Sequence, residues 1–133
     1  MDKTKVKVEF GLYGKSFNTQ EITRILGLTP SRYWNKGDHI RGNIHNKETY
    51  WEISTDYEES YDINDQMHKI VSQLIGKEDQ INSIQRNYNV ECKFDVVIHI
   101  ENNEKPAMYL ERDRIKFLNE INATIDFDLY IYS

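Results

Sequence analysis

The sequence has little cysteine and no long hydrophobic stretch. Its single cysteine, Cys92, excludes an internal disulfide and a zinc site built from thiolates, and it suits a reducing compartment. No stretch approaches the roughly 18 consecutive apolar residues that a membrane helix needs, and the first residues lack the apolar block of a secretory signal. We therefore expect a cytoplasmic protein, bacterial in style, that has no membrane partner.

The chain also lacks the positive charge that is typical of nucleic-acid-binding proteins. Its formal net charge is −5, so its overall field repels phosphate backbones and anionic lipids. Residues 48–66 hold seven acidic side chains and no basic one. Such a run is typical of a solvated loop and helix start, and the alternative is a docking surface for a basic partner. We expect no nucleic-acid partner.

What the sequence does contain is enough apolar bulk for one core. A chain of 133 residues, 38% of them hydrophobic, has the size of a single domain, so we expect one domain over residues 1–133. Alternation of apolar and polar residues predicts five strands, each with one buried side. They cover residues 6–12, 49–55, 90–100, 107–110 and 125–132. The fourth should form a hairpin with the third.

Capping residues and apolar spacing predict the helices. The first begins at Asn18, with Glu21 placed for a capping box, and ends at Gly27. A second begins after Asp62 and carries an apolar stripe as far as Ile75. A later helix should direct three residues inward, namely Ile115, Leu118 and Ile121.

Two segments are less regular. Residues 77–89 keep a helical spacing, and the sequence leaves open whether they form a separate helix. Residues 31–48 have no sustained period and several Gly and Asn residues, which indicates a long loop.

These elements predict an α+β fold. We expect a two-layer sandwich, with a mostly antiparallel sheet of about five strands and helices packed on one face. The last six elements follow the ferredoxin-like βαββαβ order, preceded by an extra strand and helix. A common core should contain Trp51, Ile70, Phe94 and Phe127.

Several of these segments also resemble one family. The segments are Phe17-Asn18 with Glu21-Ile22, Leu26-Gly27-Leu28-Thr29-Pro30, Gly37-Asp38, Trp51-Glu52-Ile53-Ser54 and Ile125-Asp126-Phe127-Asp128-Leu129-Tyr130. In this order and spacing they resemble DUF4279, a bacterial family without an assigned activity. The likeness spans nearly the whole chain, and it implies a small cytosolic domain with no catalytic residues to carry over.

The loop around Trp34 is the first candidate surface. Tyr33 and Trp34 lie beside Arg32, and aromatic residues next to arginine are enriched at protein interfaces and at stacking sites. The alternative is that Trp34 covers the end of the core. Asp38, a few residues on, precedes His39, and a site of mixed histidine and carboxylate ligands would be chemically feasible there.

The last strand supplies the second candidate surface. Asp126, Asp128 and Tyr130 alternate along it, so their side chains leave one side of the sheet. This spacing could suit a cation or an acid and base pair. The alternative is an ordinary exposed side, or acids that pair with Lys and Arg on neighbouring strands.

No pattern for catalysis stands out. No phosphate-binding loop or nucleophile elbow is present, no histidine spacing matches a known metal site, and Cys92 falls on an apolar strand side. We therefore expect no cofactor and no metal, and we lean against an enzyme.

The sequence predicts that the protein is a non-enzymatic protein-interaction module. A more specific form of this prediction is an immunity-like protein. One alternative is a small-molecule or metal-binding domain that uses Asp126, Asp128 and Tyr130. Another is a structural homodimer formed through an open sheet edge or face.

Overall fold

The structure is a computed structural model that describes residues 2–132. Within this range the helices are α1 (Thr19–Leu26), α2 (Ile63–Leu74), α3 (Glu78–Tyr88) and α4 (Arg112–Glu120). The strands are β1 (Lys5–Gly14), β2 (Arg32–Trp34), β3 (His39–Arg41), β4 (Ile44–His45), β5 (Thr49–Ser54), β6 (Glu58–Glu59), β7 (Glu91–Ile100) and β8 (Ala123–Ile131). No helix among these residues is both long enough and apolar enough to cross a membrane.

The main sheet has the order β2-β5-β1-β7-β8. The short strand β6 pairs with the beginning of β1, on the side where β5 pairs with its end. Every pairing in this sheet is antiparallel except that of β7 with β8, which is parallel. A parallel neighbour requires a crossover connection, and α4 lies in that connection. The predicted α+β fold with a mostly antiparallel sheet is confirmed.

The core lies between the sheet and the helices. Alternate residues of β1, from Val6 to Leu12, are buried together with apolar residues from all four helices. The rings of Phe10 and Phe94 pack with centroids 5.2 Å apart. Trp51 is buried in the same cluster, and its Nε1 donates a hydrogen bond to Thr23 Oγ1 at 3.0 Å.

The helix boundaries follow the local signals. The Asn18 side chain accepts hydrogen bonds from the backbone N–H groups of Gln20 and Glu21, and Gly27 ends α1 in the left-handed conformation with φ 67°. Asp62 caps α2 in the same way. Residues 77–89, left open by the sequence, contain the separate helix α3, which a left-handed Asn89 ends.

Two predicted details are wrong. Residues 107–110 form no strand, and Ala107 only bridges Asp62 beside the start of α2. Asn102 and Asn103 both have positive φ in the preceding turn, and the chain does not return along β7. Without that hairpin, the ferredoxin-like layout is not confirmed. The predicted loop at 31–48 contains β2, paired to β5, and the separate hairpin β3-β4.

One residue that was predicted to lie in the core, on the last strand, is exposed. Trp51, Ile70 and Phe94 belong to it, but Phe127 is 44% exposed. β8 is an edge strand, and only its first apolar residues, such as Ile125, pack partly against the core. In α4, Ile115 points outward and Phe117 takes the inward position beside Leu118.

Candidate functional site

The side of the main sheet that faces away from the helices carries polar and aromatic side chains, and we call it the open face. Its composition follows from strand alternation, because residues between the buried positions of β1, β5 and β7 point to this side. The registers place five residues in one row across the sheet: Arg32, Glu52, Gly11, Lys93 and Thr124.

A cleft of about 440 Å³ lies on the open face. Its lining comes from every strand of the β2-β5-β1-β7-β8 path and consists of Glu9, Tyr13, Arg32, Trp34, Glu48, Tyr50, Lys93, Asp95, Thr124 and Asp126. Aromatic rings and charged groups of both signs are therefore brought to one concave surface, which we call the open-face cleft.

An aromatic pair forms one wall of the cleft. The rings of Trp34 and Tyr50 stack with centroids 4.6 Å apart and an interplanar angle of 11°. Tyr50 is buried because its ring lies over Gly11, where a Cβ atom would come within 2.5 Å of Tyr50 Cζ. Burial raises the pKa of Tyr50, so its hydroxyl stays neutral.

Beside this wall, two buried carboxyl groups share one arginine. Arg32 Nε donates to Glu52 Oε1 at 2.6 Å, and Arg32 also lies 3.8 Å from Glu9 Oε2. Lys7 Nζ contacts Glu9 Oε1 at 3.1 Å. Glu52 is only 2% exposed. The cluster attaches the edge strand β2 to the centre of the sheet through side chains as well as backbone.

The two carboxyl groups titrate differently. Burial raises the pKa of Glu52 to about 7, and the hydrogen bond to Glu9 and its charge add to this rise, against the opposing effect of Arg32. Burial also opposes ionisation of Glu9, but hydrogen bonds to Glu52 and Lys7 and the positive charges of Lys7 and Arg32 lower its pKa. Glu52 Oε2 accepts no hydrogen bond from any described donor, which suits an oxygen that carries a proton shared with Glu9.

A lysine lies at the centre of the cleft. Lys93 Nζ is 3.5 Å from Asp95 Oδ2 and 5.3 Å from the centroid of the Tyr13 ring. Burial raises the pKa of Asp95, and the nearby charges of Glu9 and Asp126 act in the same direction against Lys93. The positive charge of Lys93 is thus already engaged by groups of the same protein.

A second aromatic cluster lies farther along the open face. The imidazole of His99 is surrounded by the rings of Tyr57, Tyr130 and Tyr132, with centroids 4.7, 5.0 and 5.7 Å away. The Tyr130 hydroxyl donates to Asp128 Oδ2 at 3.2 Å. This cluster is separate from the open-face cleft, since none of its members lines the cleft.

The structure thus divides the six predicted site residues. Trp34 and Asp126 line the same cleft although they lie on opposite edge strands. Asp128 and Tyr130 belong to the second cluster. Tyr33 alternates with Trp34 on β2 and is exposed on the other side of the sheet.

Asp38, the remaining predicted site residue, lies in a tight turn before β3. Its Oδ2 accepts a hydrogen bond from the Asn35 N–H at 2.8 Å, and its own N–H donates to the Asn35 carbonyl at 3.0 Å. These contacts give Asp38 a local role in shaping the loop that follows β2.

Sequence reasoning missed the polar centre of the cleft. Arg32 was noted beside Trp34 in a predicted loop, but Glu9, Glu52 and Lys93 were visible only as solvent-side positions of separate strands. The available signal was the alternation itself, because it assigns Glu9, Glu52 and Lys93 to the polar sides of their strands. Their meeting depends on strand order and register, which alternation does not specify.

The histidines and Cys92 do not line the open-face cleft. Among residues 2–132, no set of three or more His, Cys, Asp or Glu side chains is arranged to hold a metal ion. His39 and His45 pack edge to face across the β3-β4 hairpin, with centroids 5.3 Å apart. Burial raises the pKa of the Cys92 thiol to about 12, and its Sγ donates to the Ile121 carbonyl.

The fold and the site together define an α+β domain with helices on one face of its sheet and an aromatic, charged cleft on the other. The chain belongs to the family described as Domain of unknown function (DUF4279), whose sequence model matches residues 4–132. This confirms the family resemblance of the sequence segments. Neither a curated protein nor a solved structure matches the chain.

Proposed function

We propose that this protein is a non-enzymatic protein-interaction module whose open-face cleft binds a basic segment of a partner protein. The proposal rests on one observation: the basic groups of the cleft are paired within the chain, whereas two of its acidic groups are not. The basic groups Arg32 and Lys93 each contact a carboxylate of the same chain. Asp126 and Glu48 line the cleft, are exposed, and form no ion pair within residues 2–132.

The residue types in the cleft support the same function. Trp, Tyr and Arg are the residues that most often dominate binding energy at protein interfaces. Trp34 and Tyr50 are held by their mutual stacking, and Arg32 by its carboxylates. Side chains that are ordered before binding lose less conformational entropy when a partner arrives.

The buried carboxyl pair supports a binding role over a catalytic one. Two carboxyl groups with pKa values pushed apart are typical of acid and base catalysis. Here Glu9 and Glu52 both contact Arg32, and Glu52 is only 2% exposed. Because both carboxyl groups are engaged by one arginine and shielded from solvent, their arrangement favours a structural role beside the cleft.

More specifically, we propose that the partner is a toxin. The module would neutralise this toxin by binding it in the bacterial cytoplasm, as immunity proteins do. The acidic segment 48–66 contributes Glu48 to the cleft rim. The only cysteine is buried and reduced, which suits a cytoplasmic location.

The test uses a peptide of ten arginines as the probe. Amide chemical shifts are recorded by NMR while the peptide is added to wild type, Asp126→Asn, Trp34→Ala and the control Glu120→Gln, which removes an exposed acid from the helix side. We expect shifts concentrated around the cleft, and about two- to fivefold weaker binding for Asp126→Asn, the size of one exposed charge contact. Trp34→Ala should weaken binding too.

Raising the salt concentration should weaken binding of the peptide to wild type, because the contacts are exposed. Shifts spread equally over the acidic residues of the helices, or an equal loss in Glu120→Gln, would contradict the proposal.

A second candidate function is binding of a small cationic molecule in the same cleft. Its volume of about 440 Å³ lies within the usual range of ligand pockets. Free arginine and spermidine distinguish the two functions. If either raises the melting temperature as much as the ten-residue peptide does at equal concentration, the small-molecule function is favoured.

A further inference from the structure

The outer edge of β8 has few of the features that usually protect an edge strand. β8 is nine residues long and pairs with β7 in an unbroken register from Ala123 to Ile131. Proteins usually protect such an edge with charged side chains, above all lysine, or with proline, a bulge or a covering element. β8 contains no lysine or proline, its register shows no bulge, and no described strand pairs with its outer side. Its two charged residues, Asp126 and Asp128, both lie on the open face and leave the apolar side of the strand without a charge.

The apolar side of the same strand is also uncovered. Phe127, Leu129 and Ile131 are 44%, 44% and 65% exposed. Their register neighbours on β7, Val96, Ile98 and Ile100, are buried. The exposed apolar stripe therefore begins at β8 and continues the core surface outward, as expected where another element completes a sheet.

The backbone shows which groups of β8 are available. The Tyr132 N–H donates to the Ile100 carbonyl at 2.9 Å, so residue 132 and the even-numbered residues before it direct their N–H and C=O groups toward β7. The odd-numbered residues Phe127, Leu129 and Ile131 consequently direct theirs outward. The apolar stripe and the free hydrogen-bonding groups belong to the same residues.

We propose that two copies of this protein pair through β8, antiparallel, about a two-fold axis at Leu129. In this register Leu129 lies opposite its own counterpart and Phe127 lies opposite Ile131. These outward-directed residues exchange roughly six backbone hydrogen bonds. The apolar stripes of the two copies meet on the helix side, and the two main sheets become one continuous sheet.

Charge disfavours the two registers in which the axis moves toward the N-terminus of β8. With the axis at Leu129, Asp128 lies opposite Tyr130 and Asp126 opposite Tyr132, so each carboxylate faces a phenol. Tyr130 already donates a hydrogen bond to Asp128 within one chain. Moving the axis to Asp128 places that carboxylate opposite itself, and moving it to Phe127 places Asp126 opposite Asp128 twice, which is repulsive.

Pairing through β8 does not depend on the basic partner proposed above. A two-fold axis normal to the sheet places both open faces on the same side, so a dimer would present two clefts together. Loss of pairing should leave each cleft intact, and loss of peptide binding should leave the dimer intact.

Analytical ultracentrifugation of the full chain tests the pairing. We expect wild type to dimerise in the micromolar range and Leu129→Lys to be monomeric, because two lysines would meet on the axis. Leu129→Glu should also be monomeric alone, but it should form a heterodimer when it is mixed with Leu129→Lys. A wild type that stays monomeric at millimolar concentration, or a Leu129→Lys variant that dimerises as before, would overturn the proposal.

Cysteine substitutions test the register. Residues paired on the axis lie within disulfide range, whereas other positions of β8 lie farther from their own counterparts. Under mild oxidation, Leu129→Cys should cross-link two chains at least tenfold faster than Phe127→Cys or Ile131→Cys, while Cys92 is buried. Faster cross-linking at position 127 would instead show a different register and refute the one proposed.

Discussion

Gly11 of β1 lies directly beneath the ring of Tyr50, which comes from the neighbouring strand β5. A Cβ atom at position 11 would overlap the Tyr50 hydroxyl and ring. This contact places the tyrosine ring flat over the sheet, where Trp34 stacks on it. The absence of one side chain thus shapes the aromatic wall of the cleft.

Gly11→Ala should displace the Tyr50 ring. We expect a loss of about 1–3 kcal/mol in the free energy of unfolding, which is typical of an added methyl group in a packed site. Urea denaturation measures this loss. In a Tyr50→Ala background the same substitution should cost clearly less, since the ring it strikes is absent. An equal cost in both backgrounds would contradict the contact as the cause.

Glu52 should make the stability of the protein depend on pH. Its pKa is about 7 in the folded protein and 4.5 in the unfolded chain, so the folded state binds more protons between these values. Stability contributed by Glu52 is therefore lost as pH rises from about 5 to 7, by at most about 1.4 kcal/mol per pH unit for one proton.

Thermal or urea unfolding across this pH range measures the effect. Glu52→Gln should flatten the decline, because the amide does not titrate, whereas Glu48→Gln on the same segment should leave it unchanged. A wild type whose stability rises steadily between pH 5 and 7, with no contrast between the two variants, would be inconsistent with a proton held by Glu52.

Two residues of α4 should differ sharply in their effect on stability. Leu118 is 5% exposed and Ile115 is 55% exposed, although both follow the predicted apolar spacing. Leu118→Ala should cost about 2–5 kcal/mol through the lost contacts and the cavity left behind, and Ile115→Ala less than about 1 kcal/mol. Urea unfolding of both variants compares them, and similar losses would show that α4 is rotated differently.

The cap of α1 should contribute measurably to stability. Asn18 Oδ1 accepts hydrogen bonds from the backbone N–H groups of Gln20 and Glu21 at 3.0 and 3.3 Å. Asn18→Ala removes this acceptor and should cost about 1 kcal/mol. Asn18→Asp keeps an acceptor and should cost much less in the same denaturation experiment. If Asp were as damaging as Ala, the cap would not explain the loss.

Local signals in the sequence predicted much of the secondary structure. The caps at Asn18 and Asp62 and the left-handed Gly27 act within a few residues, so the chain segment itself contains the physical cause. The family resemblance was read from the sequence as well, and it is confirmed over residues 4–132.

Other features of the structure could not be predicted from local sequence signals. The three-residue strand β2 has too little sequence to show a period, and it exists because β5 offers an edge. The exposure of Phe127 could not be predicted for a similar reason. Its alternation is the same as that of a core strand, and only its position at the sheet edge leaves it exposed.

The candidate cleft shows the same division. The sequence identified Trp34 and Asp126 as chemically suited to recognition, but it placed them in unrelated segments. The tertiary structure brought them to one surface, together with Glu9 and Lys93 from the strands that lie between them.

The amino-acid sequence by itself determined where most of the long helices and strands lie and which residues alternate along the strands, because the backbone period and the capping groups act over a few residues. Tertiary structure alone decided which outward residues meet. Strand order, the parallel pairing of β8 and the position of Gly11 under Tyr50 depend on contacts between distant segments. Packing of the whole chain selects these contacts, since no single segment contains both partners.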